Sequence, residues 1–344
     1  MLSRVATSAV LLLFLLPWTA VTMGFNALIG SGLVRQARSA DWPSVPGTIL
    51  RSEVETSRGS KSTTYGLKVL YAWSVGGERY EGTRYHVNAW RSGDRAHGEA
   101  LVERFPAGAT VPVYYLPEKP SEAVLMPGVQ GAELFTLMFM VPFNLVTLWL
   151  GSVLVGIWRR NTPLRAFSRE DGSECVTLGD ASPAGSAGVA LGVSALVCVV
   201  FGGVTVGINP AVPLAVGAWC AVIGIGALFG LMTRARLRAG HYDLRVNVQA
   251  RSVSLPPVAG RKARLDVAWQ DIHSLSVETH VTHGSKGRST TRYRPTLVLS
   301  GPDGKPRREV IDAMQSEETA HSVADWLRSH LEYGNSGSAR LHSA

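Results

Sequence analysis

Four stretches of this sequence carry no charged residue, and each is long enough to cross a lipid bilayer as a helix. They are residues 5–34, 134–158, 187–208 and 211–232. About 20 consecutive apolar residues of helix span the hydrocarbon core of a bilayer. The sequence therefore predicts a membrane protein with four transmembrane helices.

The charges beside these runs predict their orientation, because Lys and Arg resist translocation and stay on the cytoplasmic side. Two arginines directly follow the second run, and Arg234, Arg236 and Arg238 follow the fourth. The first run has arginines on both sides, so the orientation of the protein in the membrane is predicted from the later runs. We expect a multi-pass protein of the inner (plasma) membrane, with both termini in the cytoplasm.

The first run also admits a second interpretation, a cleaved signal peptide, because Arg4 precedes it. Its roughly 30 uncharged residues exceed the 7–15 of a usual signal-peptide core, which favours a retained helix. The three cysteines, Cys175, Cys198 and Cys220, all lie outside residues 35–133. That segment must therefore fold without a disulfide.

The apolar runs predict an α+β fold class and seven segments. These are an N-terminal transmembrane helix (1–34), a small extracytoplasmic β sandwich or barrel domain (35–133), a second transmembrane helix (134–158), a cytoplasmic loop (159–186), a transmembrane helical hairpin (187–232), a C-terminal cytoplasmic β-rich domain closed by one helix (233–332) and a disordered tail (333–344).

Residues 35–133 show the alternation typical of half-buried strands. Val69, Tyr71, Trp73 and Val75 alternate with other residues before Gly76-Gly77, which predicts a hairpin. Further strands are expected at 48–56 and 111–115. Such short strands favour a β sandwich or a partly open barrel. His86 and His97 have no cysteine or carboxylate partner in the pattern and are expected at the surface.

The same region resembles a bacterial membrane-protein family known only as a domain of unknown function (3592 type). The resemblance covers roughly residues 40–155 and implies a small β domain between two transmembrane helices, with no activity attached. The residues that carry it are Trp42-Pro43, Gly47, Ile49, Ser52, Tyr71, Trp73, Val75, Gly77, Tyr80, Gly82, Pro106, Gly108, Val111, Val113, Tyr114, Tyr115, Pro117, Pro120, Ala123, Leu125, Pro127 and Gly128.

The C-terminal region reads as a series of short strands followed by one amphipathic helix. The strands are expected at 242–248, 252–255, 265–269, 273–279, 295–300 and 308–311. Ser316 can cap the helix, whose apolar positions from Ala320 to Leu331 recur at helical spacing. The order of elements and the step from Val267 to Ile272 resemble the pleckstrin-homology-like superfold, which hosts several kinds of function.

Basic residues beside the predicted membrane ends are candidate contacts for anionic lipid headgroups. A cluster of four to eight basic residues at the membrane surface contributes about 1 kcal/mol per residue. The alternative is a solvated loop. The candidates are Arg234, Arg236, Arg238, Lys286, Arg288, Arg292 and Arg294.

The apolar runs offer packing features and no charged groups. Gly-x-x-x-Gly spacings at Gly188, Gly203 and Gly226 predict close helix packing within a hairpin, with homodimerisation as the weaker alternative. Pro142 and Asn144 in the second run indicate a kink or an interhelix hydrogen bond. A proton or ion pathway would need ionisable groups in these runs, and they contain none.

The sequence contains none of the common catalytic signatures, which favours a non-enzymatic binding, sensing or scaffolding protein. The alternative is a membrane-embedded enzyme with dispersed catalytic residues, or an accessory subunit of one. We expect no cofactor and no metal.

The formal net charge of +8 comes mostly from residues 233–344, with 17 Lys/Arg against 11 Asp/Glu. These cations lie largely beside membrane ends, so the expected partners are lipid and an unknown membrane protein rather than nucleic acid.

Overall fold

The computed structural model describes residues 2–59, 63–89, 95–158, 164–179, 181–205, 207, 209–283, 289–301 and 305–341, with side chains described from 5 to 332. It divides into two compact units. Unit 1 comprises residues 1–158 and 187–228, and unit 2 comprises residues 159–186 and 229–344. Each is described by itself.

Unit 1 contains one β domain, the N-terminal β domain, and most of the long helices. Its elements are α1 (Leu2–Ser39), β1 (Ser44–Arg58), β2 (Thr63–Val75), β3 (Glu78–Gly82), α2 (Arg95–Arg104), β4 (Thr110–Leu116), β5 (Lys119–Val124), α3 (Gly131–Trp158) and the larger parts of α4 (Pro183–Thr205) and α5 (Val212–Arg238).

Four of these helices are long and apolar enough to cross a membrane: α1, α3, α4 and α5. They coincide with the four uncharged runs of the sequence. α1 continues past residue 34 to Ser39, and α3 begins before the apolar run, at Gly131. The chain is therefore compatible with a membrane-spanning protein.

The N-terminal β domain is a five-stranded antiparallel sheet with the order β3-β2-β1-β4-β5. The predicted hairpin is confirmed as β2 and β3. Gly76 and Gly77 have φ angles of +61° and +87°. Two consecutive positive φ values are typical of the tight turn that matches the twist of a hairpin, and glycine adopts them without steric cost. Gly47 lies in the central strand, where a Cβ would collide with Val113.

The sheet curls so that its two edges meet beyond the ends of β3 and β5. The backbone N–H groups of Leu125 and Met126 donate to the carbonyl of Tyr85, at 3.1 and 2.8 Å. The hydroxyl of Tyr71 donates to the carbonyl of Arg84, at 2.8 Å, and to that of Ala123, at 2.9 Å. Tyr71 is fully buried and thus joins both edges from inside the core. The short helix α2, which the sequence did not predict, adds Leu101 to this core.

The apolar helices pack through small residues and paired amides. Asn26 of α1 donates to Asn144 of α3 at 2.7 Å, which is the interhelix bond expected of Asn144. A Cβ at Gly192 of α4 would lie 2.9 Å from Leu145, and one at Gly226 of α5 would lie 3.0 Å from Leu191. These glycines therefore allow close packing within one chain.

Unit 2 contains the C-terminal β domain, which is built from eight strands in two antiparallel sheets. The first sheet has the order β10-β9-β8-β7-β6 and the second β11-β12-β13. The elements are β6 (Ala166–Ser168), β7 (Glu174–Thr177), β8 (Asp243–Asn247), β9 (Ser252–Leu255), β10 (Leu265–Ala268), β11 (Ile272–His283), β12 (Ser289–Ser300), β13 (Pro306–Val310) and α6 (Glu317–Leu341).

Residues 159–186 differ from the predicted cytoplasmic loop, because they contribute β6 and β7 to the first sheet. β7 pairs with β8, so the domain is formed from chain on both sides of the α4–α5 hairpin. Val176 and Leu244 are buried in the shared core. The partner strand of β7 lies beyond the α4–α5 hairpin, so nothing in the local sequence pattern indicated that this segment belongs to a sheet.

The predicted C-terminal helix is present as α6. The hydroxyl of Ser316 accepts the N–H of Thr319, as expected of an N-cap. Ala320, Val323 and Leu327 are fully buried against the sheets. α6 runs to Leu341 and so extends into residues 333–344, for which we expected disorder. The sequence Asp303-Gly304 also predicts a turn, and these residues lie outside those that the structure describes.

We predict that Tyr71→Phe destabilises the protein by about 1–2 kcal/mol, because it removes a buried hydrogen-bond donor shared by two carbonyls. Burial raises the pKa of Tyr71, so the hydroxyl remains a donor at neutral pH. The measurement is the thermal unfolding midpoint of the full-length protein in detergent. Tyr80→Phe removes the same atom from a half-buried ring and is the control. Equal shifts for both variants would contradict the role assigned to Tyr71.

Candidate functional site

The structure places the predicted lipid-contact residues in two groups, both in unit 2. Arg234, Arg236 and Arg238 lie in the last turns of α5 and are exposed. Arg292 and Arg294 lie on β12 and are half-buried. Lys286 and Arg288 lie outside the described residues. No hydrogen bond or ion pair between described residues joins the two groups.

The side chains of the three exposed arginines of α5, called here the α5 arginines, form no hydrogen bond or ion pair with another described residue. Their position at the C-terminal end of a helix is favourable, because the carbonyl groups there carry partial negative charge. Three unpaired cations at the end of a span-length apolar helix are thus available to an external anion.

A second set of arginines fixes the end of α5 to the C-terminal β domain. Arg245 of β8 donates to the carbonyls of Ala239 and Gly240, at 3.1 and 3.3 Å. Arg264 donates to the carbonyl of Gly240 at 2.5 Å and to that of Asp243 at 2.9 Å. The carbonyls of Ala239 and Gly240, directly after the last residue of α5, thereby gain hydrogen-bond partners. Burial, followed by the charge of Arg245, lowers the pKa of Arg264.

Buried Asp243 provides the counter-charge of this set. Its carboxylate accepts hydrogen bonds from Arg169, at 2.6 Å, and from the hydroxyl of Thr177, at 2.8 Å. The bond to Asp243 raises the pKa of Arg169. The carboxylates of Asp171 and Asp266 also face these arginines. Three arginines therefore meet three carboxylates, and the set is a structural clamp rather than an anion site.

Gly240 is required at the centre of the clamp for two reasons. Its φ angle is +70°, a conformation that favours glycine. A Cβ at this position would also collide with the guanidinium groups of Arg169 and Arg245. The clamp could not be predicted from the sequence, because its members come from three segments that are distant along the chain. The one local indication of a special structure here is Gly240, which follows a basic helix end.

A buried polar cluster in unit 1 was also missed. It comprises Gln36 and Ser39 of α1, His86 after β3, and Glu133 of α3, all at most 3% exposed. The amide of Gln36 donates to Glu133 Oε1 at 2.7 Å, and His86 Nδ1 lies 3.9 Å from the same oxygen. The expectation that His86 is a surface residue is wrong, because the loop after β3 folds over the ends of α1 and α3.

The side chains of Ser39, His86 and Glu133 also bind backbone, whereas Gln36 Oε1 is buried and has no partner among the described residues. His86 Nε2 lies 3.0 Å from the carbonyl of Gly128, whose N–H donates to Ser39 Oγ at 2.9 Å. Glu133 Oε2 accepts the N–H of Gln130 at 3.2 Å, as a third-position glutamate does at a helix start. The cluster thus ties the N-terminal β domain to α1 and α3. Its His–Glu pair is closed to substrate by burial, which argues against a catalytic role.

We predict that Glu133→Ala lowers stability by about 2–3 kcal/mol, because the buried amide of Gln36 then loses its acceptor. The measurement is the thermal unfolding midpoint of the full-length protein in detergent. Glu118→Ala removes an exposed carboxylate and should leave the midpoint nearly unchanged. A midpoint for Glu133→Ala equal to that of the control would show that the cluster does not hold the domain in place.

Residues 45–130 match the model of a protein family described as a domain of unknown function (DUF3592). The matched segment contains β1 to β5 and α2 and ends just before α3. No curated protein and no solved structure matches the chain significantly. The comparison confirms the family resemblance for the N-terminal β domain and attaches no activity to it.

Proposed function

We propose that this chain is a multi-pass protein of the bacterial inner (plasma) membrane that acts in binding, sensing or scaffolding rather than catalysis. In this proposal the C-terminal β domain lies in the cytoplasm and contacts anionic lipid headgroups. The observation that carries it is the set of three exposed, unpaired α5 arginines at the end of a span-length apolar helix.

Two contacts support the proposed topology. The pairing of β7 with β8 requires both ends of the α4–α5 hairpin to lie on the same side of a membrane. The side chain of Asn209, in the turn of that hairpin, accepts the N–H of Ala132 at 3.0 Å, so the start of α3 lies on the opposite side. With the α5 arginines in the cytoplasm, the N-terminal β domain is exported and both termini are cytoplasmic.

The α5 arginines support lipid contact by their charge and exposure. Each cation near an anionic leaflet contributes about 1 kcal/mol of attraction. The clamp around Gly240 holds these arginines at a fixed place relative to the sheet, so lipid contact would orient the whole C-terminal domain. Arg292 and Arg294 are proposed as further contacts, as are Lys286 and Arg288, which lie outside the described residues.

The C-terminal domain is proposed to be pleckstrin-homology-like. Two antiparallel sheets closed by an amphipathic C-terminal helix support this assignment. A fold of this kind hosts several kinds of function, so the assignment by itself names no ligand. We propose a membrane protein or a second copy of the chain as the partner. In this proposal the chain itself connects the exported domain with the cytoplasmic one.

The topology predicts opposite results for two reporter fusions. Alkaline phosphatase fused after Gly128 should be active, because the N-terminal β domain is exported. Fluorescent protein fused after Ala344 should fluoresce, because the C-terminus is cytoplasmic. The measurement is phosphatase activity and whole-cell fluorescence, with the two reporters exchanged between the sites as controls. Activity of the exchanged pair instead would reverse the proposed orientation.

The lipid contact predicts a lipid-dependent stability that the α5 arginines supply. Phosphatidylglycerol should raise the thermal midpoint of the full-length protein in detergent above the value in phosphatidylcholine. Changing Arg234, Arg236 and Arg238 together to Gln should shrink this difference between the midpoints. The corresponding loss of lipid-dependent unfolding free energy is up to about 3 kcal/mol. The control variant changes three exposed cations of the same domain, Lys262, Lys305 and Arg328, to Gln. An equal loss in both variants would exclude a specific contact at the end of α5.

A further inference from the structure

A cavity of about 400 Å³ opens in the C-terminal β domain, at the junction of its two sheets. Its walls are mostly apolar, with one arginine, Arg294, and one carboxylate, Asp312. They come from the ends of β7, β9 and β13 and from β12. The apolar lining includes Leu178, Tyr242, Pro256, Pro257 and Val258.

Arg294 is the unusual member of this lining. Its Nε is buried and has no hydrogen-bond partner, and no hydrogen bond or ion pair joins the side chain of Arg294 to another described residue. Glu278 lies opposite Arg294 in the register of β11 and β12, yet its carboxylate bonds Arg308 at 3.3 Å. A half-buried guanidinium without a partner is costly, and an anion in the cavity would remove that cost.

The charges around the cavity indicate a ligand with a single negative charge. Arg294 contributes one positive charge, and Asp312, whose Oδ1 accepts the N–H of Ala313 at 2.7 Å, contributes one negative charge. Arg292 adds a second cation, since its guanidinium lies 3.4 Å from the carbonyl of lining residue Ala313. The sum of +1 suits a phosphodiester, which carries one negative charge, better than a phosphate monoester, which carries nearly two at neutral pH.

Two lining residues of the cavity are close in sequence to the apolar helices. Ala181 precedes the start of α4 at Pro183, and Tyr242 closely follows the end of α5 at Arg238. An apolar wall with one cation, a few residues along the chain from two span-length helices, fits a molecule that has both a phosphate and an apolar part.

We propose that this cavity binds the phosphodiester headgroup of one anionic glycerophospholipid, with Arg294 donating hydrogen bonds to the phosphate. The apolar walls contact the glycerol and the first carbons of the acyl chains. The inference rests on the proposed function, because a bilayer lipid reaches the cavity only if this end of the domain faces the membrane. A free phosphate compound is the other source of the same chemistry.

The test is the number of phosphatidylglycerol molecules that the detergent-purified full-length protein retains through washing, counted by native mass spectrometry. The unmodified protein should retain one tightly held molecule, and phosphatidylcholine should not replace it. Arg294→Gln should weaken retention roughly tenfold or more, because a charge-assisted contact is lost. Arg328→Gln, which removes the same charge from an exposed site on α6, should retain the lipid.

A second variant separates loss of the site from loss of the fold. Ala259→Trp keeps Arg294 and fills the cavity from an exposed lining position, and it should also lose the lipid. The thermal midpoints of both variants in phosphatidylcholine should match that of Arg328→Gln. Retention of the lipid by Arg294→Gln or Ala259→Trp would overturn the inference. Displacement of the lipid by excess inorganic phosphate would instead assign the site to a free phosphate compound and overturn the lipid assignment.

Failure of this inference is distinguishable from failure of the proposed function. The proposed function is measured by the phosphatidylglycerol-dependent midpoint, which depends on the α5 arginines. The inference is measured by one retained lipid, which depends on Arg294. The variant with Arg234, Arg236 and Arg238 changed to Gln should therefore lose the phosphatidylglycerol-dependent midpoint and keep the retained lipid. Loss of both in this variant would overturn a separate site at Arg294.

Discussion

The pairing of β7 with β8 is the contact on which the C-terminal half of the molecule depends. The two strands lie on either side of the α4–α5 hairpin, and Thr177 and Asp243, which face each other, are 66 positions apart. A sheet formed in this way is complete only when chain from both sides of the hairpin has come together. The C-terminal β domain therefore cannot form from the residues after the hairpin alone.

Polar groups at the ends of the apolar helices are used in two different ways. At the start of α3, Glu133 is buried and is bonded by Gln36 and by the N–H of Gln130. At the end of α5, the clamp neutralises the helix carbonyls and leaves the α5 arginines exposed. Burial requires a partner for each polar group, whereas an exposed cation keeps its charge for an external anion. The first arrangement holds a domain, and the second leaves three cations exposed, as the proposed lipid contact requires.

Much of the secondary structure could be predicted from local pattern. The β2–β3 hairpin follows from strict alternation before Gly76-Gly77, and α6 follows from a serine cap and a helical apolar stripe. β6 and β7 could not be predicted, because their sheet is completed by β8 from beyond the α4–α5 hairpin. α2 was missed because only Gly98 and Leu101 of its residues are buried, so it shows no apolar stripe. The candidate site was found only in part. The α5 arginines follow directly from an apolar run, but the lone guanidinium of Arg294 depends on neighbours contributed by four strands.

The sequence by itself determined the number and approximate positions of the apolar helices, since a run of uncharged residues needs no distant partner to be recognised. It also indicated the strand-rich character of both β domains. Only the tertiary structure decided that residues 159–186 complete the C-terminal sheet, that His86 is buried, and that Arg294 lines a cavity. The physical reason is that burial and pairing depend on residues far apart in the chain, whose approach is set by packing and backbone hydrogen bonds rather than by local pattern.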